Sequence, residues 1–313
     1  MIEDKIQQNI PLAPMTTFKI GGNAKFFVEV TDKAELAEAL EWSAKNVNQH
    51  FILGGGSNVL INDKGVDGLV IKINNVRLEI KGEHLECGAG TFLAKAMIEA
   101  NREGLGGMEW AIGIPGSVGG AVHGNTGAFG LNIGNVVETV EIFDIAKNKF
   151  ASMGNQDCRF DYRESVFKND KNLVIWSVKI RLAKKNQEEI KNTISGYLNQ
   201  RLKTQPKLPS AGSVFKNITI EDLRSLNKNL ARMAEESGVV KAGKVGVGWI
   251  IDLLGFRGKT IGGAKVSLEH ANFIVNTGKA TTEDVIMLIS LIKQQARTKF
   301  GVQLTEEVQY LGI

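Results

Sequence analysis

Proline is scarce, five residues in 313, and cysteine is rarer still, with Cys87 and Cys158 alone. Two thiols build no disulfide framework, so a reducing compartment suits the chain and packing must hold it together. Histidine occurs only at positions 50, 84, 123 and 270, without metal-ligand spacing, and there is no CxxC or HExxH; no metal site is expected. Charge of one sign is also lacking. Lys and Arg number 38 against 34 Asp and Glu, leaving +4, too little and too evenly spread to mark a nucleic-acid binder. The apolar run Val285 to Ile292 is far shorter than the ~20 residues that span a bilayer. The start, Met1-Ile2-Glu3-Asp4, has neither the basic residues nor the apolar run of a signal peptide. These absences point to a soluble, cytoplasmic protein with no nucleic-acid partner and no membrane insertion. What is present is an ordinary globular composition, 43% hydrophobic and 23% charged, over a length that suggests two domains of about 150 residues.

Glycine departs from the average, with 35 of 313 residues, about 11% against a usual ~7%. Eleven lie between Gly104 and Gly134, and smaller groups stand at Gly54-Gly55-Gly56 and Gly262-Gly263. Clustered glycine between periodic segments marks backbone in unusual conformations or pressed close to a ligand. Known nucleotide fingerprints do not explain it. Gly258-Lys259-Thr260 ends like a Walker loop, but Leu253 stands at its first glycine; Gly246-Val247-Gly248 begins a dinucleotide fingerprint that fails at Ile251. Asn217-Ile218-Thr219 is a sequon by letters only.

Periodicity predicts alternating helices and strands. Asp32 with Glu35 reads as a capping box ahead of a helix carrying Leu36, Leu40 and Ala44. Phe51 to Leu53 reads as a buried strand running into the first glycines, and Leu69–Ile73 and Leu78–Cys87 have strand character. Thr91 is placed to cap a helix carrying Leu93, Met97 and Ala100. Strands are expected over 136–145 and 173–182, where Val174, Trp176, Val178 and Ile180 alternate. Helices follow over Leu223–Glu236, Gly248–Leu254 and from Thr282 onward, and a closing strand over Val302–Leu311. The composition shift over 183–205 suggests a boundary.

Gly54, Gly55 and Gly56, followed by Ser57 and Asn58, follow a strand, so that backbone N–H groups converge and two side-chain donors join them; a tight turn is the competing reading. The tract Gly113 to Gly130 is dense in glycine and poor in charge. It is either filled by a ligand such as a pyrophosphate with a flat ring system, or a packed core loop in which glycine permits close approach.

Taken together, these stretches resemble one family, the bacterial UDP-N-acetylenolpyruvoylglucosamine reductases, flavoenzymes of peptidoglycan precursor synthesis. Thr17 to Ala24 is similar to their N-terminal motif, Leu53 to Asn58 to their LGGGSN loop, and Gly113 to Gly130 to their GIPGSVGGA…NAGAYG tract. Cys158 to Lys168 resembles CxFxYRxSxFK, Ala211 to Asn217 resembles AGSxFKN, Gly262 to Asn276 a further block, and Phe300 to Val308 the terminal FGVxLxxEV. The matches run in order from residue 16 to 308. Gly124, Thr126, Phe129 and Ile218 depart from the pattern, and the short tract after Arg163 fits the type II form, which lacks a tyrosine-bearing lid.

The resemblance implies an α+β protein: a two-lobed FAD-binding region of the vanillyl-alcohol-oxidase type over 1–185, its lobes split near 60–75, then a smaller substrate-binding domain over 186–313. It implies non-covalent FAD, held by Gly54, Gly55, Gly56, Ser57, Asn58, Ile114, Gly116, Ser117, Gly119, Gly120, Asn125 and Ala128, with NADPH as reductant. The substrate implied is a UDP-sugar enolpyruvyl ether, and the chain is expected to act as a monomer. Hydride addition to the vinyl carbon leaves an enolate, which needs a cation and a proton source. Arg163 suits the substrate carboxylate with its planar fork, Ser213 is the implied proton donor with Lys216 near it, and Glu307 is a carboxylate among apolar neighbours, favoured by register over Glu306. Asn217 and His270 stand at substrate-facing positions, and Arg201 or Lys203 at the diphosphate. From composition alone the ordinary alternatives remain: a surface ion pair for Arg163, a turn serine for Ser213 and a solvated strand face for Glu307. A flavin oxidase using oxygen, or a nucleotide sensor without turnover, are the rival functions.

Overall fold

Two separate sets of buried apolar side chains organise the chain, which a computed structural model describes over residues 1–313. The first unit comprises Met1–Ile10, Ala24–Gly56 and Val66–Arg201; the second comprises Pro11–Asn23, Ser57–Gly65 and Leu202–Ile313. The expected cut at 185/186 therefore falls elsewhere, at Arg201/Leu202, and two early segments belong with the C-terminal residues. The reason is packing: Phe18, Ile20 and Leu60 are buried in the same core as Ile251, Leu288 and Val302. Composition along the chain carries no trace of such a crossing.

The first unit holds two large sheets and two short two-stranded ones. One large sheet has the strand order Gln7–Pro11, Asn23–Val30, Val66–Ile73, His50–Leu53, the last three running parallel. Parallel neighbours require a crossover, and the helix Lys33–Asn46 provides it, burying Leu36, Ala39 and Leu40. Asp32 caps that helix by accepting from the Glu35 N–H at 2.9 Å. The reciprocal half of the box is absent, because the Glu35 carboxylate turns to the Thr31 N–H at 2.7 Å.

The second large sheet is antiparallel, in the order Lys149–Gly154, Val137–Asp144, Leu173–Arg181, His84–Gly88, Leu78–Lys81. The expected single strand 78–87 is thus a hairpin turning at Gly82. In the central strand the alternation holds from Trp176 onward, whereas Val174, Ile175 and Trp176 are buried in succession. The helix Leu93–Arg102 buries Leu93, Ala96, Met97 and Ala100, one face at helical spacing. Thr91 does not cap it: Phe92 occupies the N-cap, and the Thr91 hydroxyl donates to the Arg77 carbonyl at 3.1 Å.

The second unit contains an antiparallel sheet ordered Ser210–Ser213, Phe273–Asn276, Ala264–Val266, Thr260–Ile261. The helix Thr282–Phe300 begins in a Thr281/Asp284 capping box, ends at left-handed Gly301, and buries Val285, Leu288, Ile289, Ile292 and Ala296. The predicted helix 223–236 is two helices, Ile220–Leu226 and Lys228–Glu236, broken at extended Asn227. Its Oδ1 accepts from the Leu230 N–H at 2.9 Å and its Nδ2 donates to the Phe300 carbonyl at 3.0 Å. One amide thereby caps the start of one helix and the end of another. The closing strand is shorter than expected, Gln309–Leu311, parallel to Val59–Ile61. No helix is long and apolar enough to cross a membrane.

Because Asn227 satisfies a donor and an acceptor at two helix ends, Asn227→Ala is expected to destabilise the second unit by about 1–2 kcal/mol. Denaturant titration checks this as a lowered midpoint with an unchanged slope.

Candidate functional site

In the first unit the two glycine-rich stretches are one structure. A Cβ at Gly55 would lie 2.5 Å from Gly116 Cα and 2.8 Å from Ser117 N, and one at Gly54 would lie 2.8 Å from Ser117 Oγ. Main chain at Gly55 therefore seats directly on main chain of Gly116–Ser117, an approach that any side chain at Gly55 would prevent. Both stretches were expected to hold cofactor, and their contact makes them a single backbone-lined surface. No acidic residue occurs between Glu109 and Glu138, or from Leu53 to Asn58. Glycine-lined main chain free of carboxylates suits a pyrophosphate, so the residues present fit an FAD.

The tract is not a loop throughout. Val118–His123 is a short helix capped by Ser117, whose Oγ accepts from the Gly120 N–H at 3.3 Å. The amide of Gly119 donates to the Ala89 carbonyl and that of Ile114 to the Ala111 carbonyl, so both are consumed within the chain. Ala128 lies in a hairpin, Gly127–Ala128 against Leu131–Asn132, turning through Phe129 and Gly130, both at positive φ. Phe129 stacks on Tyr197 with ring centroids 4.0 Å apart and 5° between planes. Arg201 lies over the same ring at 5.2 Å, and its Nη2 donates to the Trp110 carbonyl at 3.4 Å. Its burial works against its charge. Lys203 is exposed.

Arg163 stands beside this tract. It occupies the turn between Asp161 and Glu164, whose amides each donate to the other's carbonyl, and has φ of 56°. A left-handed non-glycine residue is strained by roughly 1–2 kcal/mol and persists where its surroundings over-determine it. Here they do. Arg163 Nη2 donates to the Gly127 carbonyl at 2.8 Å, and the Ser165 hydroxyl to the His123 carbonyl at 2.7 Å. Buried Asn125 donates to the Asp161 carbonyl at 2.7 Å while accepting from the Gly134 N–H at 3.0 Å. Asn125, expected as a cofactor ligand, has its side chain committed to tying the Arg163 turn to the glycine tract.

The second unit brings Ser213, Glu307, Asn58 and His270 into one neighbourhood. Ser210 pairs with Val275 and Ser213 with Phe273, so three residues advance against two. Gly212 absorbs the extra residue at φ of 79°, a bulge that re-aims the following side chain. That side chain is Ser213. On the other flank the Glu307 N–H donates to the Val214 carbonyl at 2.7 Å, and the Lys216 N–H to the Thr305 carbonyl at 2.9 Å. Glu307 itself precedes the final strand rather than lying in it. Asn58 donates to the Glu307 carbonyl at 3.1 Å, so this residue of the LGGGSN loop holds the segment bearing Glu307. Glu306 is committed elsewhere, to Lys293 at 2.5 Å and to the Tyr310 hydroxyl, in keeping with the register that selected its neighbour. The Asn217 Oδ1 accepts from the Val247 N–H at 3.2 Å. His270 Nδ1 accepts from the Asn272 N–H at 3.2 Å, which leaves Nε2 as the protonated nitrogen of the neutral ring. Asn272, to which no role attached in the sequence, is buried against Phe215.

Comparisons with known proteins divide the chain in the same sense. Residues 24–150 match the FAD binding domain, and residues 204–311 match the UDP-N-acetylenolpyruvoylglucosamine reductase, C-terminal domain. These matches and the site's backbone cradle define a flavin-dependent oxidoreductase, with an FAD-binding region followed by a smaller α+β domain as expected. A UDP-N-acetylenolpyruvoylglucosamine reductase of Thermotoga maritima is 38% identical over 94% of each chain, and that of Solibacter usitatus is 34% identical over 98% of this chain and 97% of its own. The crystal structure of the enzyme from Thermus caldophilus superposes with a TM-score of 0.79 at 30% identity, covering 98% of this chain and 99% of that one. The chain belongs to the UDP-N-acetylenolpyruvoylglucosamine reductase family.

Burial, and secondarily the nearby Arg257 cation, push the His270 imidazole below its ordinary 6.5. The folded protein thus favours the neutral ring, and the stability this contributes is present above 6.5 and lost as pH falls through the lower folded value. A histidine NMR titration is expected to put the His270 midpoint below 6.5, with the neutral ring protonated at Nε2.

Proposed function

We propose that the protein reduces UDP-N-acetylglucosamine enolpyruvate to UDP-N-acetylmuramate in the cytoplasm, with NADPH as the electron source. The observation that carries this reading is the bulge at Gly212, which re-aims Ser213 on a segment bonded directly to that of Glu307. A serine that served only as a turn residue has no need of such support from both sides. FAD, when bound, supplies the two-electron relay from NADPH to the vinyl carbon of the enolpyruvyl ether.

The remaining work belongs to side chains. Arg163 binds the enolpyruvyl carboxylate through its planar fork and stabilises the negative charge that develops there as the double bond is reduced. Ser213 Oγ gives its proton to the enolate carbon. Serine is a weak acid, but that carbon is a strong base, and Lys216 stabilises the alkoxide left behind. Glu307 shares a proton with the intermediate. His270 and Asn217 orient the substrate, His270 by donating from Nε2. Of the two candidates for the diphosphate, Arg201 is favoured over exposed Lys203, since its guanidinium is already ordered on the Phe129 ring and bidentate phosphate recognition rewards such ordering. Gly54–Gly56 and Gly116 hold the flavin nucleotide through main chain, framed by Ser57, Ser117, Gly120 and Ala128.

An oxygen-using oxidase would share the backbone cradle but has no use for a proton donor to carbon. Anaerobic mixing of reduced protein with the enolpyruvyl nucleotide separates the two: oxidation of the flavin by that nucleotide supports the reductase, and oxidation by air alone overturns it. In that assay Ser213→Ala is expected to slow reoxidation by about 10²- to 10⁴-fold, the range of general acid catalysis, while reduction by NADPH stays largely intact. Equal loss of both half-reactions would make Ser213 structural. Arg163→Lys keeps the charge and loses the fork, so it should impair reoxidation about 10- to 100-fold with flavin retention unchanged.

A further inference from the structure

Ser213 stands where ordinary strand pairing fails, since the bulge at Gly212 interrupts the ladder toward Phe273. The next two residues, Val214 and Phe215, are buried, and their peptide groups need partners in place of the lost ladder bonds. The Glu307 N–H donates to the Val214 carbonyl, and Asn272 provides for the other three. Its Oδ1 accepts from the Phe215 N–H at 3.0 Å, its Nδ2 donates to the Phe215 carbonyl at 2.8 Å, and its own carbonyl accepts from the Val214 N–H at 2.8 Å. Its remaining backbone N–H donates to His270 Nδ1 at 3.2 Å. The residue is 2% exposed. A primary amide is the one short side chain that presents a donor and an acceptor side by side, as a peptide group does. In this position it stands in for a missing strand.

We propose that Asn272 is a positioning residue for the reaction: its amide completes the interrupted sheet edge, fixing the Ser213 hydroxyl, while its backbone N–H fixes the orientation of the His270 ring. This rests on the reading of Ser213 as proton donor. Asn272 touches no reacting atom. It acts through Ser213, whose main chain it holds one and two residues downstream, and a displacement of about 1 Å at a reacting group is enough to cost on the order of 10²-fold in rate.

The test uses the full-length FAD-loaded protein and follows oxidation of its reduced flavin by UDP-N-acetylglucosamine enolpyruvate without oxygen. Asn272→Ala is expected to slow this step about 10- to 100-fold. Combined with Ser213→Ala, the same change is expected to add less than about threefold, because residues acting as a unit are not additive. Equal slowing in both backgrounds, or no slowing in either, overturns the proposal. If Ser213→Ala alone leaves the rate unchanged, it is the donor reading that fails, and the positioning role fails with it. Asn272→Asp covers the case in which the alanine variant does not fold. Ionised, it opposes the Phe215 carbonyl with a negative oxygen; protonated, it donates as the amide does. Its rate should therefore fall with rising pH along a titration that the native protein lacks, with His270 titrating in both. A profile parallel to the native one overturns the proposal.

Discussion

Two loops sixty residues apart can share one surface only if neither carries a side chain where they touch. That constraint governs the first unit. Gly55 sits so close to Gly116 that a single methyl group would separate the strand end at Leu53 from the helix at Val118, and with it the two halves of the backbone cradle. The Arg163 turn depends on the same framework, since Asn125, Gly127 and His123, all within or beside the tract, are the groups that hold it. Glycine at this spacing is therefore less a matter of flexibility than of thickness: it lets peptide groups form a wall.

The second unit solves a different problem, that of holding a serine at the place where a sheet is irregular. A bulge re-aims the side chain but leaves backbone groups without ladder partners, and buried groups in that condition are unfavourable by about 1–3 kcal/mol each. The surroundings supply partners on both flanks, Asn272 on one and the 305–307 segment on the other. Irregular geometry at a reacting group and dense support around it belong together.

Two of the departures from the family pattern also find a place. Phe129, where tyrosine is usual, keeps an aromatic ring at a turn with positive φ, and the stack with Tyr197 and the Arg201 guanidinium hold it there. Loss of the phenolic oxygen leaves the ring contacts intact. Ile218, where proline is usual, lies in a short strand paired with Val245.

Ordered motifs in the sequence determined the family, the flavin, the fold class and the candidate site residues, because close backbone approach and a charged fork require particular residue types. Periodicity located most elements for the same reason, with errors where one residue decides. Asn227 breaks what reads as one helix, and Gly82 turns what reads as one strand. Only the tertiary structure decided that residues 11–23 and 57–65 pack in the second core, that Asn58 holds the Glu307 segment, and that Asn125 serves the Arg163 turn. It alone gave Asn272 a task. These are long-range pairings, formed by side-chain amides and main chain far apart in sequence, and no local spacing encodes which distant peptide group an asparagine will meet.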